Sequence, residues 1–442
     1  MEEAAIRVVK RLRTAGHEAL FAGGCVRDRL LGKPAKDFDI ATSARPAEVE
    51  RLFARTFAVG AQFGVIVVLE DGHEFQVATF RADGAYLDGR HPDSVVFTSA
   101  EGDAARRDFT INGLFFDPVE ARVLDFVGGE ADLRAGIVRA IGNPAMRFSE
   151  DKLRLLRCIR FASTLGFRIE DATWSALTSA ALDIGQVSAE RIRDELVKMF
   201  VAPSRLAGFD LLDRSGLLDV LLPEVADLRG CEQPAEFHPE GDVFIHTRLM
   251  LSLLPESVSV PLVFAVLLHD IGKPPTARRD ETGRIRFNGH ESVGATMSGD
   301  VLDRLRFSNA DKDATIAAVQ NHMAFKDVRN MRVATLKRFL ARPTIEDELE
   351  LHRVDCTGSH GMLDNYDFLR KKQTEFSNEP LIPPPLLTGR DLIALGWKPG
   401  PRFKAVLDAA QSLQLEGVLK TTDDALRWVE QNPDFEEPPG QS

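Results

Sequence analysis

The sequence predicts an α+β fold, with a mixed head at the amino-terminal end and an all-helical remainder. Two observations support this prediction. β-rich segments bounded by Gly and Asp turns lie before the breaker at 141–144, and from Phe148 onward apolar residues recur with helical spacing. At 442 residues the chain is too long for a single core, so several domains are expected. We place them at 1–145 (head), 146–235 (neck), 236–375 (body) and 380–442 (tail).

The elements of the head follow from local patterns. Ile6, Val9 and Leu12 lie on one helical face, and Asp71-Gly72 between two β-rich runs is typical of a hairpin turn. A second breaker at 381–385 precedes the last helical segment. In chain order we expect a helix over 3–16, a strand over 17–22, a helix over 26–31, a strand over 38–41, a hairpin of 65–69 with 74–81, a Gly-, Asp- and Pro-containing segment over 82–98, and short helices and strands over 103–133.

The composition predicts a globular, cytoplasmic protein. Hydrophobic residues make up 44% and charged residues 28%, and the longest apolar run, Val260–Leu268, is far shorter than a membrane span. The four cysteines lack CxxC spacing and no signal peptide is expected after Met1, which favours a reducing compartment. The net charge of −12 argues against indiscriminate coating of nucleic acid but permits a local basic groove. Oligomeric state is not predicted.

The most informative segment is a glycine turn followed by two aspartates. Gly23 and Gly24 allow the backbone to approach a phosphate, and Arg27 can neutralise it. Asp37 and Asp39 would share one face of a strand, because residues i and i+2 point the same way. Two carboxylates beside a phosphate cradle are typical of a catalytic Mg²⁺ site for phosphoryl transfer. A hairpin with solvated aspartates is the alternative, and the nearby glycine turn and arginine disfavour it.

A second polar segment is Arg106-Arg-Asp-Phe-Thr-Ile-Asn112. Its charged and amide side chains suit contacts with a ribose and a triphosphate. A helix terminus with solvated charges would have the same composition. The candidate nucleotide-binding residues here are Arg106, Arg107, Asp108 and Asn112.

The third segment is 150–160, where four apolar residues cover one half of a predicted helix. Asp151, Arg154, Arg157 and Arg160 fan across the other half. An ordinary surface helix gives this pattern too. In the functional interpretation, Asp151 and Arg154 are adjacent and form a hydrogen-bonding edge that reads a base. An aspartate accepts from an exocyclic amine, so this edge would select C or A.

In this order and spacing, the three segments resemble the class II tRNA nucleotidyltransferase and bacterial poly(A) polymerase family. The matching motifs span roughly residues 18–200: GGxVRD with DxD, RRDFTxN, EDxxRxxR and the segment 188–195. The resemblance implies a polymerase-β-like head, a nucleotide-selecting and RNA-binding helical neck, and a tRNA-binding tail. It implies template-independent addition of CMP and AMP from CTP and ATP to the tRNA 3′ end.

The resemblance also implies residue roles. Gly24 and Arg27 contact the nucleotide, Asp37 and Asp39 hold the metals, and Arg106 or Arg107 with Asp108 contact its sugar and phosphates. Asp151 and Arg154 select the base, supported by Arg157 and Arg160, while Arg191 and Glu195 brace the neck. One position departs from the family pattern: Gln76 stands where relatives usually have a glutamate, so a third metal carboxylate is in doubt unless Glu74 replaces it.

The members of this family differ in what they add. The segment 59–65 lacks the basic signature typical of poly(A) polymerases, and a full loop over 82–96 is present, which enzymes adding only CC tend to lack. Addition of CCA is therefore expected, with A-only addition and poly(A) synthesis as alternatives. A further alternative is a phosphohydrolase whose head only binds RNA.

The body carries histidines and aspartates in an order that resembles the HD phosphohydrolase superfamily over roughly 240–360. His246, His269, Asp270 and Asp355 are the expected ligands of a divalent transition metal. His290 and His322 match the branch that can hold two metals. The implied activity is metal-assisted hydrolysis of phosphate esters, such as 2′,3′-cyclic phosphates or other damaged RNA ends. A body that only scaffolds tRNA is the alternative.

Overall fold

The structure is a computed structural model that describes residues 1–58, 64–83, 95–234, 236 and 238–432. The expected loop over 82–96 lies outside the described residues at 84–94, and the segment 59–65 does so at 59–63. The chain divides into two compact units. The first consists of Met1–Ala226, Pro255–Ser257 and Val301–Phe307, and the second of Asp227–Leu254, Val258–Asp300 and Ser308–Ser442. The division into four domains stays a prediction.

The first unit is built around a mixed seven-stranded sheet in the order β3-β4-β5-β2-β1-β8-β9. β1 pairs antiparallel with β2 and β8, and β2 pairs parallel with β5. The strands are β1 (Ala19–Ala22), β2 (Asp39–Thr42), β3 (Thr56–Phe57), β4 (Val65–Glu70), β5 (His73–Thr79), β6 (Arg81–Asp83), β7 (Val95–Phe97), β8 (Phe115–Asp117), β9 (Arg122–Leu124), β10 (Ile137–Val138), β11 (Arg168–Ile169), β12 (Arg278–Arg279) and β13 (Ile285–Arg286).

Helices make up most of the rest of both units. They are α1 (Glu2–Thr14), α2 (Gly24–Leu30), α3 (Pro46–Leu52), α4 (Ala100–Ala105), α5 (Gly129–Ala135), α6 (Pro144–Glu150), α7 (Leu153–Leu165), α8 (Asp171–Ser179), α9 (Ala189–Phe200), α10 (Arg205–Ser215), α11 (Leu217–Leu221), α12 (Pro223–Ala226), α13 (Val243–Leu253), α14 (Val260–Leu268), α15 (Lys273–Thr276), α16 (His290–Arg304), α17 (Asn309–Asn321), α18 (Val333–Leu340), α19 (Ile345–Gly358), α20 (Asp364–Glu375), α21 (Gly389–Ala394), α22 (Pro401–Leu415) and α23 (Thr422–Glu430). Short 3₁₀ helices cover Thr110–Asn112, Ala181–Gln186 and His322–Asn330.

The predicted hairpin is confirmed, and its turn explains its register. Asp71 and Gly72 both have positive φ, 49° and 75°, which is the conformation of the two central residues of a type I′ turn. Glu70 therefore pairs directly with His73, and β4 runs antiparallel to β5. Residues of β5 alternate, so that Glu74 and Gln76 are exposed on the face opposite buried Phe75 and Val77.

The predicted α+β architecture is confirmed, with small differences at its edges. The helix after the glycine turn begins at Gly24 rather than Val26, and the aspartate strand is Asp39–Thr42 rather than 38–41. Two short strand pairs interrupt the helical part: β10 pairs with β11, and β12 pairs with β13. Within the described part of the chain, no helix has both the length and the apolar character needed to cross a membrane.

The expected continuous helix over 150–160 is wrong. α6 ends at Glu150, Asp151 is extended with φ of −141°, and α7 begins at Leu153. The cause is local, because the Asp151 carboxylate accepts a hydrogen bond from the Leu153 backbone N–H at 3.1 Å. Aspartate favours such caps over helix interiors. The apolar half of α7 is buried as expected, with Leu155, Leu156 and Ile159 in the core.

Gly129 provides a test of packing at the start of α5. Its backbone N–H donates to Asp125, and a Cβ there would lie 2.2 Å from the Thr110 carbonyl oxygen. We predict that Gly129→Ala destabilises the first unit by about 2 kcal/mol, which lowers the midpoint of thermal unfolding by about 4–8 °C. Gly185→Ala is the control, because no heavy atom lies within 4 Å of its Cβ position. Equal midpoints for the two variants would contradict the packing seen here.

Candidate functional site

One cavity of about 1040 Å³ in the first unit collects every residue that the sequence predicted for the head and neck site. Elements far apart in sequence contribute to it: the turn before α2, the start of β2, the 3₁₀ segment after α4, and α7. The predicted residues that line it are Gly23, Gly24, Arg27, Asp37, Asp39, Arg106, Arg107, Asp108, Asn112, Asp151, Arg154, Arg157 and Arg160. Their individual roles stay predictions.

The glycine turn approaches a charged side chain closely. Gly23 has φ of 71°, a conformation that glycine adopts without strain, and a Cβ there would lie 2.9 Å from Arg107 Nη1. Arg27, in the first turns of α2, donates from Nη1 to Asn112 Oδ1 at 2.7 Å and from Nε to Asp28 Oδ1 at 2.9 Å. Asp28 thus holds the Arg27 guanidinium at the turn.

Asp37 and Asp39 lie beside this turn. Asp39 is the first residue of β2 and pairs with Ala22, the last residue of β1. Asp37 lies two residues earlier, outside the strand, so the prediction that both aspartates share one strand face is wrong, because β2 begins only at Asp39. Both side chains are accessible from the cavity. Partial desolvation and the neighbouring Asp37 raise the pKa of Asp39, against the effect of Arg107. Two carboxylates that repel each other in this way are suited to bind a hard divalent cation.

Gln76 occupies the neighbouring position on the adjacent strand. The parallel register pairs Ile40 with Val77. Asp39 and Gln76 each come one residue earlier, so they lie side by side on the same face of the sheet. An amide oxygen can ligate a metal but carries no full charge. Glu74 lies on that face too, two residues further from Asp39 along β5. Next to Asp39, β5 therefore contributes the amide of Gln76 rather than a carboxylate.

The two consecutive arginines are held by a carboxylate that the sequence analysis missed. Buried Asp103 accepts from Arg106 at 2.7 Å and from Arg107 at 3.0 Å. Burial raises the pKa of Asp103, but the two guanidinium groups outweigh it and lower the pKa. The i, i+3 and i, i+4 spacing to the arginines was the available signal. Asp103 thus positions both arginines at the cavity.

Asp108 is the centre of a buried network. Its Oδ2 accepts from Arg157 Nε and Nη2 at 2.8 and 2.6 Å, and its Oδ1 accepts from Asn112 Nδ2 at 3.1 Å. Asn112 in turn accepts from Arg27. Burial opposes ionisation, but Arg157 and the hydrogen bonds lower the pKa of Asp108 to about 2. The predicted direct contact of Asp108 with a nucleotide therefore competes with a bidentate ion pair that it already makes.

Asp151 and Arg154, the predicted base-reading pair, line the same cavity, and the Arg154 backbone N–H donates to the Asp151 carbonyl oxygen at 3.0 Å. Asp151 Oδ2 accepts from Arg191 at 2.7 Å. Arg154 is buried, and its Nη1 donates to Glu150 at 2.6 Å and to the Arg147 carbonyl oxygen at 2.9 Å. Glu150 and Arg191 fix the two side chains individually at the cavity wall.

The remaining neck arginines converge on Glu195 and Phe161. Glu195 is buried and pairs with Arg160, and it lies 3.9 Å from Arg157 Nη1. The Arg160 guanidinium lies 4.1 Å from the centroid of the Phe161 ring, and those of Arg27 and Arg157 lie 5.2 Å from it. Arg191 contacts Asp151 and Glu195 contacts Arg160, and their predicted bracing roles stay predictions. The result is a basic wall of the cavity whose guanidinium groups are held by Asp108, Glu195 and the Phe161 ring.

A second cluster of polar side chains lies in the second unit. The wholly apolar α14 is buried, and His269 and Asp270 follow at its end. His246 Nε2 lies 3.1 Å from Asp355 Oδ1, and His269 Nε2 lies 3.0 Å from Asp270 Oδ2. Asp270 Oδ1 is also 3.4 Å from His290 Nε2. The predicted ligands His246, His269, Asp270, His290, His322 and Asp355 therefore form one continuous cluster.

The hydrogen bonds of these histidines fix which nitrogen is free. Nδ1 of His269, His290 and His322 faces a backbone carbonyl oxygen three residues earlier, at 3.0, 2.8 and 2.6 Å. A carbonyl only accepts, so Nδ1 carries the proton and Nε2 of the neutral ring presents a lone pair. Nε2 of His290 and His322 are 3.1 Å apart. The 3.0 Å contact of His269 Nε2 with Asp270 Oδ2 lacks hydrogen-bond geometry, so this nitrogen makes no hydrogen bond within the described part of the chain. Facing lone pairs of this kind fit a bound cation.

Glu240 and His238 belong to this cluster and were missed by the sequence analysis. Glu240 Oε1 accepts from His246 Nδ1 at 2.6 Å and from His238 Nδ1 at 2.9 Å. Burial lowers the pKa of His246, but the bonds to Asp355 and Glu240 outweigh it and raise the pKa to about 9. Carboxylates in this position typically orient metal-binding histidines. Glu240 precedes α13 in an irregular segment, so no periodic pattern indicated it.

Comparisons with known proteins agree with both sites. Family models match for the poly A polymerase head domain (residues 19–139), the probable RNA and SrmB-binding site of polymerase A (166–228) and the HD domain (243–355). The CCA-adding enzyme of Lactobacillus johnsonii is 32% identical over 96% of this chain and 95% of its own, and that of Pediococcus pentosaceus is 33% identical over 96% of both.

A solved structure agrees as well. The structure of the Bacillus stearothermophilus CCA-adding enzyme in complex with CTP has a TM-score of 0.76 to this chain at 26% identity, with 98% of each chain covered. These findings confirm the resemblance to tRNA nucleotidyltransferases and the fold class inferred from the sequence. The chain belongs to the family of CCA-adding enzymes.

Proposed function

We propose that this chain adds CMP and AMP to the 3′ end of tRNA, using CTP and ATP with Mg²⁺ and releasing pyrophosphate. The observation that carries the proposal is the single cavity in which Asp37 and Asp39 lie with the arginines of α7. Family membership favours CCA addition over A-only addition and poly(A) synthesis. The loop that bears on this choice lies outside the described residues at 84–94.

The cavity supplies what nucleotidyl transfer needs. A divalent cation held by Asp37 and Asp39 would activate the attacking tRNA 3′-hydroxyl and offset charge on the α-phosphate. Arg27, Arg106 and Arg107 supply positive charge for the phosphates, and Asp28, Asn112 and Asp103 hold them in place. Because these donors are already fixed, little reorganisation is required when charge develops on the leaving pyrophosphate.

Base selection is assigned to Asp151 and Arg154. Ion pairs with Arg191 and Glu150 fix their side chains, and both line the cavity. A carboxylate with two bonds retains capacity to accept a further one from an exocyclic amine, which cytosine and adenine carry and uracil lacks. The segment at the start of α7 would thus take the place of a template strand. Recognition of tRNA is expected to rest on shape and backbone charge and to weaken with salt.

A second activity is proposed for the second unit: metal-assisted hydrolysis of phosphate esters. The supporting observation is the buried cluster of Nε2 lone pairs around Asp270. His246, His269, Asp270 and Asp355 would hold one divalent transition metal, and Asp270 with His290 and His322 would hold another. Imidazole-rich sites favour Zn²⁺, Ni²⁺ or Fe²⁺ over Mg²⁺. A bound metal of this kind lowers the pKa of water and so supplies a nucleophile near neutral pH.

The transferase is tested with three tRNA substrates lacking CCA, ending in C, or ending in CC. We expect labelled CTP to be incorporated into the tRNA that lacks CCA and into the tRNA that ends in C. Labelled ATP should be incorporated into all three tRNAs, in each case after both C residues are present. Asp39→Asn should lower incorporation at least about 10²-fold, because the variant removes a metal carboxylate and keeps its shape. Glu130→Gln, a partly exposed carboxylate on α5 outside the cavity lining, is the matched control. Incorporation of A only, and only onto the CC-ending tRNA, would replace CCA addition with A addition.

The metal cluster is tested by metal analysis of the purified full chain. We expect a bound transition metal that is lost in His322→Ala and in Asp270→Ala, together with hydrolysis of a phosphate ester. Glu240→Gln should weaken metal binding by about 10–100-fold, because His246 loses the acceptor that orients it. His73→Ala, in the sheet of the first unit, is the control. A protein free of transition metal after exposure to Zn²⁺, Ni²⁺ and Fe²⁺ would leave the second unit a scaffold.

A further inference from the structure

A second cavity, of about 450 Å³, adjoins the histidine cluster within the second unit. Two predicted metal ligands, His322 and Asp355, form part of its wall. The rest of the wall includes Met323, Lys326, Arg329 and Met362, none of which the sequence analysis singled out. The cavity therefore joins a metal-binding centre to a surface that is both basic and apolar.

The 3₁₀ helix His322–Asn330 explains how this wall is built. With three residues per turn, side chains at i, i+3 and i+6 eclipse, so Met323, Lys326 and Arg329 share one face. All three are exposed to solvent. His322 precedes this face by one residue and is buried in the cluster. At a rise of about 2 Å per residue, Lys326 lies about 8 Å along the helix axis from His322.

The side chains of Arg329 and Lys326 differ in their contacts. Arg329 donates from Nη2 to the Asp364 carbonyl oxygen at 2.8 Å and lies near the Asp364 carboxylate at 3.6 Å. Lys326 makes no hydrogen bond or ion pair with any residue in the described part of the chain. The anionic neighbours at the cavity are Asp355, which a metal would neutralise, and Asp364. Lys326 is therefore available to bind an anionic group.

We propose that this cavity binds a nucleotide unit carrying two phosphates, one at the metal cluster and one at Lys326. The proposal deepens the phosphohydrolase function of the second unit and rests on it. Lys326 would bind the second phosphate, and Arg329 lies one turn further along the same helix face. The separation of about 8 Å between Lys326 and His322 along the helix axis is comparable with the distance between successive phosphates of one nucleotide. Met323 and Met362 are exposed by 39% and 59%, and their flexible apolar side chains suit a sugar or base between the phosphates. The ligand class is a nucleoside 3′,5′-bisphosphate, free or as the phosphorylated 3′ end of RNA.

The test is nuclear magnetic resonance of the full chain loaded with Zn²⁺, a diamagnetic ion, with ¹³C-labelled methionine methyl groups and with spectra recorded before the probe is hydrolysed. The chain has eight methionines, and Met323→Leu and Met362→Leu variants assign the two signals at the cavity. The probes are adenosine 3′,5′-bisphosphate, adenosine 3′-monophosphate, adenosine, and a short RNA with a 3′-phosphate. We expect both signals to shift, with the bisphosphate binding about tenfold or more tightly than the monophosphate, as one charged hydrogen bond predicts.

Lysine variants then assign the second phosphate. Lys326→Glu should remove the advantage of the bisphosphate, Lys326→Arg should retain it, and Lys371→Glu, an exposed lysine on α20, should leave it unchanged. The affinities of the RNA and of the free bisphosphate are then compared, and the probe that binds more tightly identifies the source of the ligand. Equal affinity for both adenosine phosphates, an advantage that survives Lys326→Glu, or signals of Met323 and Met362 that do not move would overturn the proposal.

Hydrolysis measured separately distinguishes this proposal from the one on which it rests. If the metal-loaded chain hydrolyses bisphosphate with a KM that Lys326→Glu does not change, the subsite is refuted and the phosphohydrolase stands. If no phosphate ester is hydrolysed but the methionine shifts still depend on Lys326, the phosphohydrolase fails and the nucleotide site stands. With both correct, Lys326→Glu raises KM for the bisphosphate about tenfold and leaves kcat nearly unchanged.

Discussion

The nucleotide cavity depends on one buried ion pair, between Asp108 after α4 and Arg157 on α7. Both oxygens of Asp108 are occupied, by the Arg157 guanidinium on one side and by Asn112 and the Phe109 backbone on the other. A desolvated carboxylate is costly unless it is paired and fully hydrogen-bonded, and here it is both. Through Asn112 the network reaches Arg27 beside the glycine turn. The same contacts therefore position the phosphate-binding turn and the base-selecting helix together.

The second unit also has a buried polar centre, which is built mainly from histidines. Backbone carbonyl groups hold Nδ1 of three of them, and Glu240 holds that of His246, so that Nε2 atoms face each other in a buried centre. Such an arrangement is unfavourable without a cation. In the head, by contrast, Asp37 and Asp39 remain accessible from an open cavity. We expect a tightly held transition metal in the buried centre and a readily exchanged Mg²⁺ in the open one.

The sequence predicted the features that follow from turn residues and from the periodicity of apolar residues. The turn at Asp71-Gly72 and the two-residue periodicity of β5 were sufficient for the hairpin, and residues with paired charges at short spacing indicated the cavity. It failed where a single side-chain contact overrides the periodic pattern. The capping bond of Asp151 split a helix that apolar periodicity had continued, and Asp103 holds arginines three and four residues further on. Glu240 was missed because it lies in an irregular segment, where no periodic pattern marks its contact with His246. Lys326 was missed because eclipsing in a 3₁₀ helix does not follow the α-helical period.

The most direct test of this account is the efficiency of CTP and ATP incorporation by Asp108→Asn, with folding checked by circular dichroism. The substitution keeps the shape of the side chain and removes the charge that orients Arg157. The account predicts that kcat/KM falls about 10²-fold for both nucleotides in protein that remains folded, because the turn and α7 lose their common anchor. Folded Asp108→Asn protein that incorporates C and A as well as the unaltered chain would contradict it.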